Sequence, residues 1–306
     1  MSDQAEKKPR IRQGWLRVIL FGICFCVITL LIAIPAVLII AGVKKEDLQA
    51  APIHALAGLL TGNFLWLMLI LECLISLISV WIFRVFVDRK SFASLGWETT
   101  GYGAESATGF FMGPALLGIA SLLLLLSGRL QWTDISWDPQ SLVISLGLLV
   151  LIAFSEELVF RGYILNNLLD TFRNKWIALA ISAVLFAAFH VTNPGMNSLA
   201  FANLFLAGLL LGINYIYTKN LWYSFLFHLS WNFFQGPLLG FRVSGLNLPS
   251  LLIAETKGDW MLTGGDFGLE GSVLNMLVSL VAILILAWAF GRKYKSPVPA
   301  NPKQGM

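Results

Sequence analysis

Residues 148–165 read LLVLIAFSEELVFRGYIL, an apolar stretch interrupted by Glu156, Glu157 and Arg161. A charged side chain in the centre of a membrane helix costs about 2.5–3.5 kcal/mol on insertion scales, so each of these residues needs a partner or a function. Glu157 and Arg161 are four residues apart and can form an ion pair on one helix face. Glu156 lies about 100° around the helix from Glu157 and has no evident local partner. The pattern suits a general acid or base, but a structural ion pair beside a helix-end Glu explains it equally well.

The composition indicates that this stretch belongs to a membrane protein. Of the 306 residues, 57% are hydrophobic and 12% are charged, whereas soluble domains are about half apolar and a quarter charged. The chain has too few polar residues to cover a water-soluble surface, so lipid must face much of it. The net charge of +4 is small and its basic residues lie in loops and termini, which does not favour a nucleic-acid partner.

Eight segments are apolar and approach the roughly 20 residues that span a bilayer. We therefore predict an all-α, polytopic membrane protein with about eight transmembrane helices and a single membrane domain over residues 1–306. The longest connection, about 237–271, has no assigned role. The predicted segments are about 17–42, 60–86, 107–128, 141–167, 176–192, 199–218, 221–239 and 272–291.

The basic residues predict the orientation of these helices. With the N-terminus inside, most of the 21 Lys and Arg residues fall on the cytoplasmic side. Such an imbalance agrees with the positive-inside rule and with an even number of spans. Both termini are therefore predicted to be cytoplasmic. The basic residues left outside are Lys44, Lys45, Arg129, Arg242 and Lys257.

Two of the three histidines lie in later apolar segments. His190 follows the apolar run of ISAVLFAAFHVTNPGMN, with Phe186 one turn before it. In LWYSFLFHLSWNFFQG, His228 and Asn232 are four residues apart and project from one helix face. Each residue alone is explained by packing or by a bond to a neighbouring helix. Together with the double Glu, they form a set that we expect to converge on one site.

Glu72, in the stretch LMLILECLIS, is another acid within an apolar segment. It has no partner at helical spacing. We interpret it as a structural or substrate-path residue of unknown role.

Three motifs on successive predicted helices resemble those of the CPBP family. This family contains the CAAX prenyl endopeptidases and the bacteriocin-processing or bacteriocin-immunity enzymes, also called Abi. The resemblance covers about residues 140–235, the predicted catalytic core. A lone EExxxR would be weak evidence, but three motifs in order at helical spacing are specific. The motifs are Glu156-Glu157-x-x-x-Arg161, Phe186-x-x-x-His190 and His228-x-x-x-Asn232.

The resemblance implies an endopeptidase that cuts a membrane-associated substrate within the membrane. Glu156 would activate the attacking water as a general base, assisted by His190. His228 and Asn232 would donate hydrogen bonds to the oxyanion of the tetrahedral intermediate. The residues that would support this site are Glu157, Arg161 and Phe186.

Zinc is the alternative chemistry, because Glu156, His190 and His228 are residue types that bind it. Against zinc, the sequence has no HExxH, and Asn232 is a poor zinc ligand. The GxSG of rhomboid-like serine proteases and the GxGD of intramembrane aspartyl proteases are also absent. We therefore predict a metal-free glutamate protease without a cofactor and keep zinc as the alternative.

Two functions other than proteolysis are compatible with these residues. One is a non-catalytic membrane scaffold or bacteriocin-immunity protein of the same fold. The other is a transporter that uses Glu156 and His190 as a proton relay, although the sequence lacks the repeated halves common in transporters. The expected partners are membrane lipid and a membrane-anchored peptide or protein substrate, without nucleic acid. The expected location is a bacterial inner membrane.

The predicted helix bounds leave a disagreement about depth. At 1.5 Å per residue, a helix that starts outside at residue 141 puts Glu156 about 22 Å down, near the cytoplasmic side. A helix that starts inside at residue 176 puts His190 about 21 Å from the cytoplasm, which is too far out to meet Glu156. The two can meet only if the fourth helix is placed differently or tilts.

Overall fold

The computed structural model describes residues 8–40, residue 42 and residues 62–294. Each of the eight predicted segments contains a helix in this part of the chain, which confirms the predicted all-α fold. In chain order the helices are α1 (Gly14–Ile28), α2 (Gly62–Ile82), α3 (Gly103–Leu126), α4 (Pro139–Glu157), α5 (Lys175–Phe189), α6 (Ser198–Gly212), α7 (Trp222–Phe233) and α8 (Val273–Lys293).

Six helical stretches of the described residues are long and apolar enough to cross a membrane, so the chain is an integral membrane protein. With 15 and 12 residues, α5 and α7 are shorter than the roughly 20 residues of a full span. They carry His190 and His228 and complete the bundle. The cytoplasmic location of both termini stays a prediction. The six stretches are Gly14–Ile32, Leu67–Val87, Gly103–Leu126, Pro139–Leu169, Ser198–Thr218 and Val273–Lys293.

The start of α4 and its length determine the depth of Glu156. Asp138 caps the helix by accepting a hydrogen bond from the backbone N–H of Ser141 at 3.1 Å. A π-helical segment, Leu158–Leu165, follows α4 directly, and the helix continues to Leu169. Such π segments are rare and are often found at functional sites. Over Pro139–Leu169 the helix has 31 residues, more than a bilayer needs.

This length removes the predicted disagreement about depth. Glu156 lies at most about 20 Å from the end of its helix at Leu169, the predicted cytoplasmic end, at 1.5 Å per residue. His190 lies about 22 Å from the start of α5 at Lys175 by the same rise. Measured from the side that they share, the two residues are level. The expectation that His190 lies too far out was wrong. It measured the depth of Glu156 from the residue-141 end of a helix that is longer than the membrane is thick, so Glu156 was placed too close to the opposite side.

Small residues let the helices approach closely. Gly109 of α3 packs on α7, where a Cβ would lie 2.3 Å from the backbone O of Tyr223. Gly208 of α6 packs on α5, where a Cβ would lie 2.7 Å from Cα of Ala183. In lipid there is no hydrophobic drive between helices, so close packing through small residues stabilises them. These contacts hold α5, α6 and α7 around the polar residues of α4.

Part of the 237–271 connection forms a small sheet that the sequence did not predict. Strand β1 (Leu130–Ile135) pairs antiparallel with β2 (Leu252–Thr256), with an irregularity between Trp132 and Asp134. The indole N–H of Trp132 donates to the backbone O of Leu239 at 2.9 Å. The connection is thereby fastened to the end of the bundle where α3 ends and α4 begins.

A buried charge cluster joins α1 to the end of the second span. Asp88 is fully buried and accepts from Arg17 at 3.0 Å and from Arg84 at 3.1 Å. Both guanidinium groups are also buried. The carboxylate thus compensates two positive charges that water cannot reach.

We predict that Asp88→Ala destabilises the protein by about 3–5 kcal/mol, because it leaves the buried Arg84 without its counter-charge and Arg17 with only the longer, 3.7 Å contact to Asp170. Thermal unfolding in detergent measures the loss. Asp134→Ala, an exposed residue of β1, is the matched control and should change little. Equal unfolding temperatures for the two variants would contradict the assignment of Asp88 as the compensating charge.

Candidate active site

Glu156 faces two imidazole rings. Its Oε2 lies 3.6 Å from Nε2 of His190 and 4.0 Å from Nε2 of His228. Within the described residues, no hydrogen bond reaches this buried oxygen. The structure therefore brings together three residues from α4, the end of α5 and α7 that are 34 or more positions apart in the sequence.

Local hydrogen bonding orients the ring of His190. Its Nδ1 lies 2.8 Å from the backbone O of Phe186, one turn earlier. A carbonyl oxygen only accepts, so Nδ1 carries the proton and donates. In the neutral ring, Nε2 then has a free lone pair directed towards Glu156. The Phe186-x-x-x-His190 spacing thus has a physical reason that lies in the backbone of Phe186.

Glu157 links the other histidine to the arginine. Its Oε1 accepts from Nη1 of Arg161 at 2.8 Å and lies 2.9 Å from Nδ1 of His228. The predicted ion pair between Glu157 and Arg161 is therefore present, and both side chains are buried. Because the carboxylate accepts, Nδ1 of His228 donates to it. The Nε2 of this ring is left facing Glu156 and the cavity.

Arg161 extends this link to two more helices. Its Nη2 donates to the backbone O of Gly208 at 3.0 Å. Its Cζ lies 4.6 Å from the centre of the Phe186 ring, a cation–π distance. Phe186 therefore contacts Arg161 with its ring and His190 with its backbone. The two histidines and the double Glu are held by one connected set of contacts.

These residues open onto a cavity of about 410 Å³ within the bundle. Asn232 is 7% exposed and lies on the cavity wall, one turn after His228 on α7. The wall also includes apolar residues of α1, α2 and α6. The cavity is large enough to admit part of a peptide chain. Its polar wall residues include Glu72, Glu156, His190, His228, Asn232 and Glu270.

Glu270 is a wall residue that the sequence reasoning missed. Its Oε1 accepts from the indole N–H of Trp231 at 3.0 Å. Its Oε2 accepts from the backbone N–H of Ser244 at 2.6 Å and from the Ser244 hydroxyl at 2.9 Å. Glu270 and Ser244 both belong to the 237–271 connection, so this carboxylate fastens the connection to α7 beside Asn232. No spacing signal in the sequence pairs residues 26 and 39 positions away.

The comparison with protein families agrees with this geometry. Residues 138–234 match the family model described as type II CAAX prenyl endopeptidase Rce1-like. The matched range is about a third of the chain and contains Glu156, His190, His228 and Asn232. This match supports the resemblance of the segment to the CPBP family of intramembrane proteases. No curated protein and no solved structure gives a significant match to the chain.

The match supports an intramembrane endopeptidase of the CAAX type as the general activity. The division into one membrane domain with a catalytic core at about 140–235 stays a prediction, as do the roles of the individual site residues.

The donor atoms at the site fit a tetrahedral zinc poorly. Zinc bonds of about 2.0–2.1 Å put neighbouring donors about 3.4 Å apart. The Oε2 of Glu156 is 3.6 Å from one candidate nitrogen and 4.0 Å from the other. In the described part of the chain, no group of three or more His, Cys, Asp and Glu residues is arranged to hold a metal ion. The prediction of a site without a cofactor remains to be tested by experiment.

We predict that Glu270→Ala loosens the connection over the cavity. The substitution leaves the indole N–H of Trp231 and the backbone N–H of Ser244 without acceptors, each at a cost of roughly 1–3 kcal/mol if it stays buried. A lower unfolding temperature and faster proteolytic cleavage within 240–260 are expected. Glu255→Ala, an exposed Glu of β2, is the control. Unchanged proteolysis of Glu270→Ala would contradict the fastening role.

Proposed function

We propose that this protein is a glutamate-type intramembrane endopeptidase, which hydrolyses a peptide bond of a membrane-associated substrate with water activated by Glu156 and His190. The observation that carries the proposal is the buried Oε2 of Glu156, which has no hydrogen bond within the described residues and faces both histidines on the cavity wall. A carboxylate oxygen kept free of donors at such a place is available to a reactant.

The first step is activation of water between Glu156 and His190. Both groups present acceptors, the Oε2 of the carboxylate and the Nε2 lone pair of the neutral ring, and these lie 3.6 Å apart. A water molecule beside them donates one hydrogen bond to each. Glu156 takes a proton from this water while the oxygen of the water attacks the carbonyl carbon of the substrate.

The second step is stabilisation of the oxyanion by His228 and Asn232. Glu156 and Glu157 carry two negative charges and Arg161 carries one positive charge. With His190 neutral, a protonated His228 brings this poorly hydrated set to neutrality, which avoids the cost of an uncompensated buried charge. The Nε2–H of that ring and the amide of Asn232 then donate to the oxygen that becomes negative. Such preorganised donors are typically worth about 10²–10³ in rate each.

The third step breaks the peptide bond. The tetrahedral intermediate collapses, the carbon–nitrogen bond cleaves, and Glu156 returns its proton to the leaving nitrogen. The products are a carboxylic acid and an amine, and a proton then passes from the acid to the amine. Glu157 and Arg161 take no part in the proton transfers; they keep the ring of His228 in its orientation.

The geometry favours catalysis over the scaffold and immunity alternatives. A binding protein has no need of an unpaired carboxylate facing two oriented imidazoles in a cavity. Zinc remains the rival chemistry, because both Nδ1 atoms are hydrogen-bonded and both Nε2 atoms face Glu156, as is usual for metal-binding histidines. The proposed location is a bacterial inner membrane, and the substrate is a membrane-anchored peptide or protein.

We predict that Glu156→Gln and His228→Ala abolish peptide cleavage by purified protein in liposomes, and that Asn232→Ala lowers its rate about 10²–10³-fold. Asn232→Asp should be at least as damaging, because a carboxylate of the same shape repels the oxyanion. Glu255→Gln is the matched control and should cleave normally. Cleavage of a panel of membrane-anchored peptides, followed by mass spectrometry, gives the rates.

Two further results decide between the alternatives. A chelator should leave the cleavage rate unchanged. Metal analysis should find no stoichiometric zinc in the wild-type protein. Zinc that is present in the wild type and absent from His190→Ala and His228→Ala would support a metalloprotease. Complementation of a deletion strain tests the scaffold function. If Glu156→Gln rescues the strain as well as the wild type does, proteolysis by this site is excluded.

A further inference from the structure

Glu72 is the acid of the cavity wall that the proposed mechanism does not use. It lies on α2 in the apolar stretch LMLILECLIS, where an ionisable side chain is expensive. Within the described residues, no Lys, Arg or His forms an ion pair with it. A polar residue that only joins helices would form an ion pair or a hydrogen bond with its neighbours. The position of Glu72 therefore favours binding of a ligand in the cavity.

The neighbouring contacts hold α2 beside the site. The Oγ of Ser155 and the Sγ of Cys73 lie 3.2 Å apart, and each is adjacent in sequence to a cavity acid, Glu156 and Glu72 respectively. The two carboxyl groups therefore line the same cavity from two adjacent helices. A substrate whose scissile bond lies at Glu156 therefore enters the cavity that Glu72 also lines.

The cavity wall has no strongly basic side chain among the described residues. Among the described residues that line it are three acids and two histidines, but no Lys or Arg. Glu270 is occupied by the hydrogen bonds from Trp231 and Ser244. Glu156 is assigned to the attacking water, and the one nearby arginine, Arg161, is bound to Glu157. Glu72 is left as the carboxyl group that a cation entering the cavity can neutralise.

We propose that Glu72 forms a subsite for a Lys or Arg side chain next to the scissile bond of the substrate. The inference rests on the proposed endopeptidase function and adds a substrate class to it. A long basic side chain can place its charge on α2 while its backbone stays at Glu156. A charged hydrogen bond formed away from bulk water is stronger than a neutral one.

Peptide binding to Glu156→Gln protein tests the subsite without cleavage and without the charge of Glu156. The probes are lipid-anchored peptides that differ at one scanned position, which holds Lys, Arg, norleucine or Glu. Norleucine matches the Lys stem without its charge. Vesicles of zwitterionic lipid avoid enrichment of basic peptides at an anionic surface. At the matching position, Lys and Arg peptides should bind roughly 10- to 100-fold more tightly than the norleucine peptide, the range for a hydrogen bond to a charged group.

A second substitution assigns that preference to Glu72. In Glu156→Gln/Glu72→Gln the affinities for the Lys, Arg and norleucine peptides should become about equal. In Glu156→Gln/Glu72→Lys the Glu peptide should bind most tightly. Glu156→Gln/Glu255→Gln, with a distant exposed Glu replaced, should keep the preference for Lys and Arg. Thermal unfolding verifies that each variant is folded; if Glu72→Gln fails to fold, the reversal in Glu72→Lys carries the test. Absence of any preference, or its persistence in both Glu72 variants, overturns the subsite.

The outcomes separate this inference from the proposed function. Selective binding of basic peptides that wild-type protein does not cleave would leave the subsite standing and would contradict the protease. Cleavage by wild-type protein at equal rates for Lys and norleucine peptides would overturn the subsite and leave the protease standing. Cleavage with a preference that Glu72→Gln removes would support both.

Discussion

The buried carboxylate of Glu157 is the contact on which the rest of the site depends. It accepts from Arg161 on its own helix and from His228 on α7. Arg161 in turn reaches the backbone of α6 and the ring of Phe186 on α5. These pairs replace contacts with water, which the buried groups lack, and they can form only with the four helices in one arrangement. The orientation of the Glu156–His190–His228 set follows from that arrangement.

The membrane explains why the site is assembled in this way. Charged groups in hydrocarbon are stabilised by partners on other helices, so the polar pairs form only when these helices pack together. The 31-residue helix that carries Glu156 is longer than a bilayer, whereas α5 ends at the site with His190 as its C-terminal cap. Because the two helices differ in length, Glu156 in the middle of the longer one lies level with His190 at the end of α5. Small residues such as Gly208 then allow the close approach that the hydrogen bonds require.

Two parts of the cavity wall have different proposed roles. The α4–α7 wall carries the proposed catalytic groups, already oriented by their partners. The 237–271 connection forms a second wall, held to α7 by Glu270 through Trp231 and Ser244. On α2, Glu72 adds a carboxyl group to a wall that has no Lys or Arg among its described residues, and the proposed subsite uses this group to bind the substrate.

The sequence by itself determined the membrane class, the eight helical segments and the membership of Glu156, His190 and His228 in one polar set. These features follow from local chemistry: apolar length, the cost of charge in lipid, and spacings of three to four residues that put side chains on one face. The pair of Glu157 and Arg161 was predictable for the same reason.

Only the tertiary structure decided that Glu157 also binds His228, that Glu270 holds the outer connection, and that β1 and β2 pair. It also decided that Glu72 and Glu156 line one cavity. Each of these contacts joins residues far apart in the chain, and their meeting depends on helix lengths, a π segment and packing against glycine. No spacing rule encodes those quantities, because they result from the packing of the whole bundle.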